Sequence, residues 1–149
     1  MTTEVEQLRA ALDGLRAGIL KKLAGLSEED ARRSTVPSGT NLAGLVQHLT
    51  FVESLWFEGT VAGKKVTRGD RSMRVDPSVS LRTLRSDYRD ACAASNEIVA
   101  TLGRADAPVT RNGKQLELRS ILLSVIEETA RHAGHADIIR EQLDGQTGR

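Results

Sequence analysis

Apolar residues recur every three or four positions in four separate stretches of the chain, a spacing that gathers them on one face of a helix. In the first stretch Val5, Leu8, Leu12, Leu15 and Ile19 form such a stripe, which fades near Gly25. The polar segment from Ser27 to Gly39, with Pro37 inside it, reads as a loop holding one short turn. A second helix is expected to start at Thr40 or Asn41, both good N-caps. Its stripe runs Leu45, His48, Val52 and Leu55, with Leu42, Leu49 and Trp56 alongside, and Gly63 closes it. A polar, basic loop follows from residue 64 to 79. Ser80 then caps a third helix whose stripe is Leu84, Tyr88, Ala91, Ser95, Ile98 and Leu102, ended by Gly103 and Pro108. Between Val109 and Leu118, Asn112-Gly113 predicts a tight turn between two short extended pieces. The last helix runs from about Arg119 to Leu143 and stops at Gly145, with Ile121, Val125, Glu128, His132, His135 and Ile139 on its stripe.

Four amphipathic helices of similar length predict an all-α four-helix bundle, and 149 residues suit one domain spanning 1–149. Composition narrows what the bundle does. A net charge of +1 produces no global field toward nucleic acid or an anionic membrane, and 3% aromatic residues are too few for base-stacking platforms. No apolar run approaches the roughly 20 residues of a membrane span. The acidic start, Met1 to Glu6, has no signal-peptide character, and Cys92 has no disulfide partner within the chain. A cytoplasmic protein is the expectation. Lys64, Lys65, Arg68, Arg71 and Arg74 charge the loop after the second helix, and without a recognition helix they read as a solvated loop rather than a nucleic-acid surface. Arg68-Gly69-Asp70 is read as a chance match to an adhesion tripeptide. Cys92 reads as a small buried hydrophobe rather than a nucleophile.

The candidate chemistry sits on the stripes themselves. Glu128 and His132 are one helical turn apart, with His135 three residues on, and His48 interrupts the stripe of the second helix in the same way. An ionised carboxylate buried without a partner costs several kcal/mol, so a cation or a donor must answer Glu128. Facing helices of bundles build metal sites from such side chains. Two imidazoles and a carboxylate leave coordination positions open, as catalytic sites do, and would accept zinc, iron(II) or nickel. The same spacing also serves an ion pair or a hydrogen-bonded polar cluster, so the pattern alone leaves both readings open.

Three stretches carry a resemblance. Thr40 to Leu49 (TNLAGLVQHL), continued by Val52 to Phe57, resembles the second-helix signature of the DinB-like four-helix superfamily. Ile126 to Glu141 (IEETARHAGHADIIRE) resembles its last helix. The similarity extends over nearly the whole chain, most closely to the mini-circle-type branch. It implies an up-down-down-up bundle with one divalent metal near its centre, held by His48, Glu128 and His132. Glutamate in place of the more usual histidine at position 128 is similar to the metal domain of mycothiol-dependent maleylpyruvate isomerase. Family members often carry glutamine where this chain has His135, which leaves that residue as a support of the ligands, a fourth ligand or a substrate contact. Characterised relatives imply a metal-dependent S-transferase that joins a low-molecular-weight thiol of the mycothiol kind to a small-molecule electrophile. Sixteen arginines against five lysines point weakly the same way, toward a high-GC genome. The competing expectation is a non-enzymatic bundle, a binding or stress-related module with a structural metal or none. A homodimer is expected in either case. Trp56 is expected at the bundle or dimer interface or on the wall of the metal pocket. Tyr88, Ala91 and Ser95 are expected to serve packing before any substrate contact.

Overall fold

The computed structural model of the protein describes residues 1–67 and 72–148. Four long helices carry the fold: α1 (Glu4–Lys21), α3 (Leu42–Glu53), α4 (Leu81–Leu102) and α5 (Leu118–Asp144). A short α2 (Glu28–Arg32) lies between the first two. The hairpin β1 (Pro108–Arg111) and β2 (Lys114–Glu117) leads into α5. The predicted boundaries follow from capping chemistry. Asn41 Oδ1 accepts from the Gly44 amide at 2.8 Å, and Ser80 caps α4 through the Thr83 amide. Arg111 pairs with Lys114 across a two-residue turn in which Asn112 and Gly113 both have positive φ, 51° and 73°. That is the backbone an Asn-Gly hairpin turn requires.

One feature of the second long helix leaves no trace in the hydrophobic pattern. After Glu53 it widens into a π-helix, Ser54–Val61. The Ala62 amide there reaches the Phe57 carbonyl five residues back at 2.9 Å. Such wide turns are rare and frequently mark functional sites. The basic loop that follows contains Arg68, Arg71 and the Arg68-Gly69-Asp70 tripeptide, which lie outside the described residues.

Contacts along the helices give their directions. Glu4 pairs with Arg119 and Lys22 with Asp137, so α1 and α5 run parallel. Leu42 to Leu49 pack with Leu81 to Tyr88, while Val52 and Phe57 pack with Val99, so α3 and α4 also run parallel, against the other two. The topology is therefore up-down-down-up. The buried apolar residues fall into two clusters, one around Ile19, Leu45, Leu84 and Ile139, the other around Leu12, Phe57, Val99 and Leu122.

Between the two clusters lies a polar layer. Arg16 separates Leu12 from Ile19 along α1, and Glu53 follows Val52 on α3. Both are almost fully buried, at 4% and 1% exposure. The guanidinium grips the Glu53 carboxylate in two parallel hydrogen bonds of 2.7 Å. Its remaining nitrogen donates to Asp13 Oδ1 at 2.8 Å and Asn96 Oδ1 at 2.7 Å. Three helices are thus tied at one level by a charge-assisted network. Burial disfavours the Arg16 charge, and Glu53 more than compensates, so the guanidinium is held protonated. Cys92 and Tyr88 lie within the electrostatic reach of this pair. Burial first, then the Glu53 charge, pushes the Cys92 thiol up to about 12. Cys92 is accordingly an unreactive thiol at neutral pH, as its position beside the α4 stripe leads one to expect.

Candidate metal centre

Where α3 faces α5, the two helices bring His48, Glu128 and His132 together. The sequence separation between His48 and Glu128 is eighty residues, yet His48 Nε2 lies 3.1 Å from Glu128 Oε1. His132 Nε2, one turn further along α5, lies 3.0 Å from the same oxygen. The two imidazole rings meet edge to face, centroids 4.8 Å apart. One ligand-capable atom from each residue lies within 4.8 Å of the others, the arrangement of a three-donor site. Donors bound at about 2.0–2.2 Å around one ion stand roughly 3–4 Å apart, so the two His–Glu128 spacings already suit a metal, and donors as far apart as 4.8 Å would draw together on binding.

The electrostatics suit a cation as well. Burial raises the Glu128 carboxyl, but hydrogen bonds from the His48 and His132 rings outweigh it and hold the group below its usual value, hence ionised. For His132 burial dominates and, despite Glu128, keeps the imidazole below its ordinary pKa, which favours the neutral ring that a metal ligand must be.

The setting differs from a sealed interior. Burial on α5 centres on Leu122, Val125, Thr129, Ala136 and Arg140, so the true core face lies about one residue round from the stripe drawn through Glu128 and His135. Glu128 is consequently 30% exposed and His48 25%, against 13% for His132. His135 is exposed, not core-facing, and stands outside the three-donor cluster. Its Nδ1 lies 3.3 Å from His132 Nδ1, on the ring edge that faces away from Glu128.

The cluster opens into a cleft of about 620 Å³ between α3, its π-helical continuation and α5. Phe51, Val52, Leu55, Trp56 and Met73 line it together with Ser124, Glu127 and Arg131. Trp56 thus walls the pocket, one of the places expected for it. Its ring is pinned by the hairpin, because the Arg111 guanidinium carbon sits 4.0 Å over the indole centroid. Met73 is held in place from behind. Asn41 Nδ2 donates to its carbonyl at 2.9 Å, and Gly44 lets that backbone come so near that a Cβ would stand 2.5 Å from the oxygen. Tyr88 and Ser95 are fully buried in helix packing, and neither they nor Ala91 line the cleft. Sequence reasoning missed Arg16, Glu53 and Met73. Glu53 directly after Val52 was the one available sign, a charge abutting an apolar stripe.

An all-α bundle of this topology, with two histidines and a glutamate meeting between its second and last long helices, is a DinB-like domain. A family model described as mycothiol S-transferase matches residues 7–145, and the chain belongs to that family. Among solved structures, a conserved protein from Enterococcus faecalis is similar over 98% of this chain and 100% of its own, with a TM-score of 0.76. At 14% identity that likeness shows the fold alone. No curated protein matches the sequence.

Proposed function

We propose that the protein is a metal-dependent thiol S-transferase, with His48, Glu128 and His132 as ligands of one divalent ion. The observation that supports the reading best is the convergence of both Nε2 atoms on a single carboxylate oxygen at the base of an open cleft. Zinc, nickel and iron(II) all suit two imidazoles and a carboxylate. When bound, such an ion supplies a Lewis acid that favours the thiolate form of a thiol cofactor of the mycothiol kind. The chain's own residues do the rest. Glu128, ionised, offsets part of the cation's charge. His132 would turn its Nε2 lone pair to the ion once Nδ1 carries the ring proton, and the 3.3 Å contact of that Nδ1 with His135 Nδ1 supports this orientation of the ring. Three protein donors would leave the ion free to take further ligands, and the three side chains line the cleft in which a thiol sulfur and an electrophile can meet. A purely structural, fully protein-ligated ion would need a fourth side chain, and His135 points at His132 instead.

The test is elemental analysis of the protein as purified, followed by activity assays with mycothiol and a panel of electrophiles. Stoichiometric metal in the natural protein, lost in His48→Ala together with turnover, supports the assignment. Full metal occupancy in His48→Ala overturns it.

A further inference from the structure

The cleft above the cluster is chemically divided, and the division bears on what reacts there. One wall comes from α3, the π-helix and the loop behind them, and is made of Phe51, Val52, Leu55, Trp56 and Met73. The other comes from α5 and is polar: Ser124, Glu127 and Arg131 beside the cluster. On that polar wall the groups already have partners. Arg131 pairs with Glu127 at 3.1 Å and stands 3.7 Å from Glu128, and the Ser124 hydroxyl donates to the Ser120 carbonyl at 2.9 Å. Among the described residues the one cation on that wall, Arg131, faces two carboxylates, which offset its pull on an anionic substrate. On the apolar wall Leu55 remains 37% exposed, so its aliphatic surface is open at the cleft. Two devices build that wall. The π-helix that begins at Ser54 carries both Leu55 and Trp56, and the Arg111 contact stiffens the indole. The Asn41 and Gly44 contacts bring Met73 up from the loop.

We infer that the wall of Phe51, Leu55, Trp56 and Met73 is the electrophile subsite, and that it selects an uncharged, aromatic-sized apolar electrophile. This rests on the transferase reading for its chemistry and on the cleft alone for its binding. A cleft of about 620 Å³ falls within the range of small-molecule sites, and the polar wall leaves the hydrophilic body of the thiol cofactor the α5 side. In the reaction the thiol sulfur bonds to the electrophilic carbon. For an activated alkene the thiol proton ends on the neighbouring carbon. For a halide-type substrate the leaving group departs with the bonding pair and the proton goes to solvent.

Trp56 is the chain's single tryptophan, so binding is readable without catalysis. The purified protein is titrated with 4-nitrobenzyl alcohol, an unreactive aromatic quencher, following Trp56 emission. The proposal expects saturable quenching, weakened about tenfold in Leu55→Ser, the scale of losing apolar contacts in a pocket. It expects no change in Leu123→Ser, which removes an exposed leucine outside the cleft. Phe51→Ser provides a second variant, with circular dichroism as the check on folding. Non-saturable quenching, or equal affinity in all variants, overturns the subsite. In the catalytic arm, N-phenylmaleimide and N-(2-hydroxyethyl)maleimide are compared with mycothiol after correction for their uncatalysed rates. An advantage of about tenfold or more for the phenyl compound supports the subsite. Turnover of both at equal corrected rates overturns it while leaving the transferase reading intact. Saturable, Leu55-dependent quenching without turnover of either supports the subsite and counts against the transferase reading instead.

Discussion

The Arg16–Glu53 pair illustrates how little a single buried charge reveals of itself in a sequence. Arg16 stands beside Leu15, and a stripe drawn through Leu12, Leu15 and Ile19 accounts for α1 without it. Yet Arg16 is the more deeply buried of the two. Its long stem packs like a hydrophobe while its head finds Glu53, and periodicity cannot see that exchange. His48, Glu128 and His132 were legible because each interrupts an apolar run with a group that needs a partner. Breaking the pair from one side leaves a charge buried and poorly answered. Glu53→Gln should therefore cost about 3–5 kcal/mol in urea unfolding. Asp106→Asn, which removes an exposed partner of Arg104, should cost well under about 1 kcal/mol. Cys92 gives a pH prediction. Burial raises its folded pKa from 9.0 to about 12, so the native state keeps a proton that the unfolded chain releases. The stability this contributes is complete below pH 9 and drains away as pH rises from 9 toward 12. Melting temperatures at pH 8 and pH 11 should show a steeper fall in the natural protein than in Cys92→Ala.

At the scale of elements, helix ends were readable and helix interiors less so. Asn41, Ser80 and the Asn112-Gly113 turn each have one local chemistry that explains them, and each does what that chemistry dictates. The π-helix had no such sign, because its cause is tertiary. It carries Phe57 into the core at 0% exposure and Trp56 to the cleft wall in consecutive positions. The last helix was drawn about one residue off its true core face for a related reason. His135 counted as apolar-facing on spacing, whereas small Thr129 and Ala136 occupy the centre of the contact. Two glycines test the element-level account in opposite directions. Gly44→Ala forces a Cβ to within 2.5 Å of the Met73 carbonyl, a backbone atom that must shift. It should destabilise by about 1–3 kcal/mol and displace the Met73 wall. Gly18→Ala, inside α1 with nothing within 4 Å of the added methyl, should stabilise by about 0.5–1 kcal/mol. Thermal unfolding of the two variants side by side decides both.

For the whole molecule, the centre ties α3 to α5, so whatever occupies it should report on global stability. A ligand present at about a hundredfold its dissociation constant adds about 2.7 kcal/mol, or roughly 5–10 °C for a domain of this size. Chelation should lower the melting temperature by that amount. His48→Ala should already sit at the chelated value and not respond further. No described helix is long and apolar enough to cross a membrane, in keeping with the composition. The up-down-down-up topology was legible through the family resemblance, because four apolar stripes alone indicate only an antiparallel kind of bundle. That charges would share one level of the bundle was not, since three helices contribute to it from distant parts of the chain. This shared level has a mechanical consequence. Oily surfaces tolerate sliding, and a helix slipped by one turn, about 5.4 Å, could still bury leucine against leucine. Here such a slip would strand a guanidinium and a carboxylate against hydrocarbon at the same stroke. The pair acts as a locating pin: it singles out one axial alignment of α1 against α3, and with it the height at which α3 presents His48.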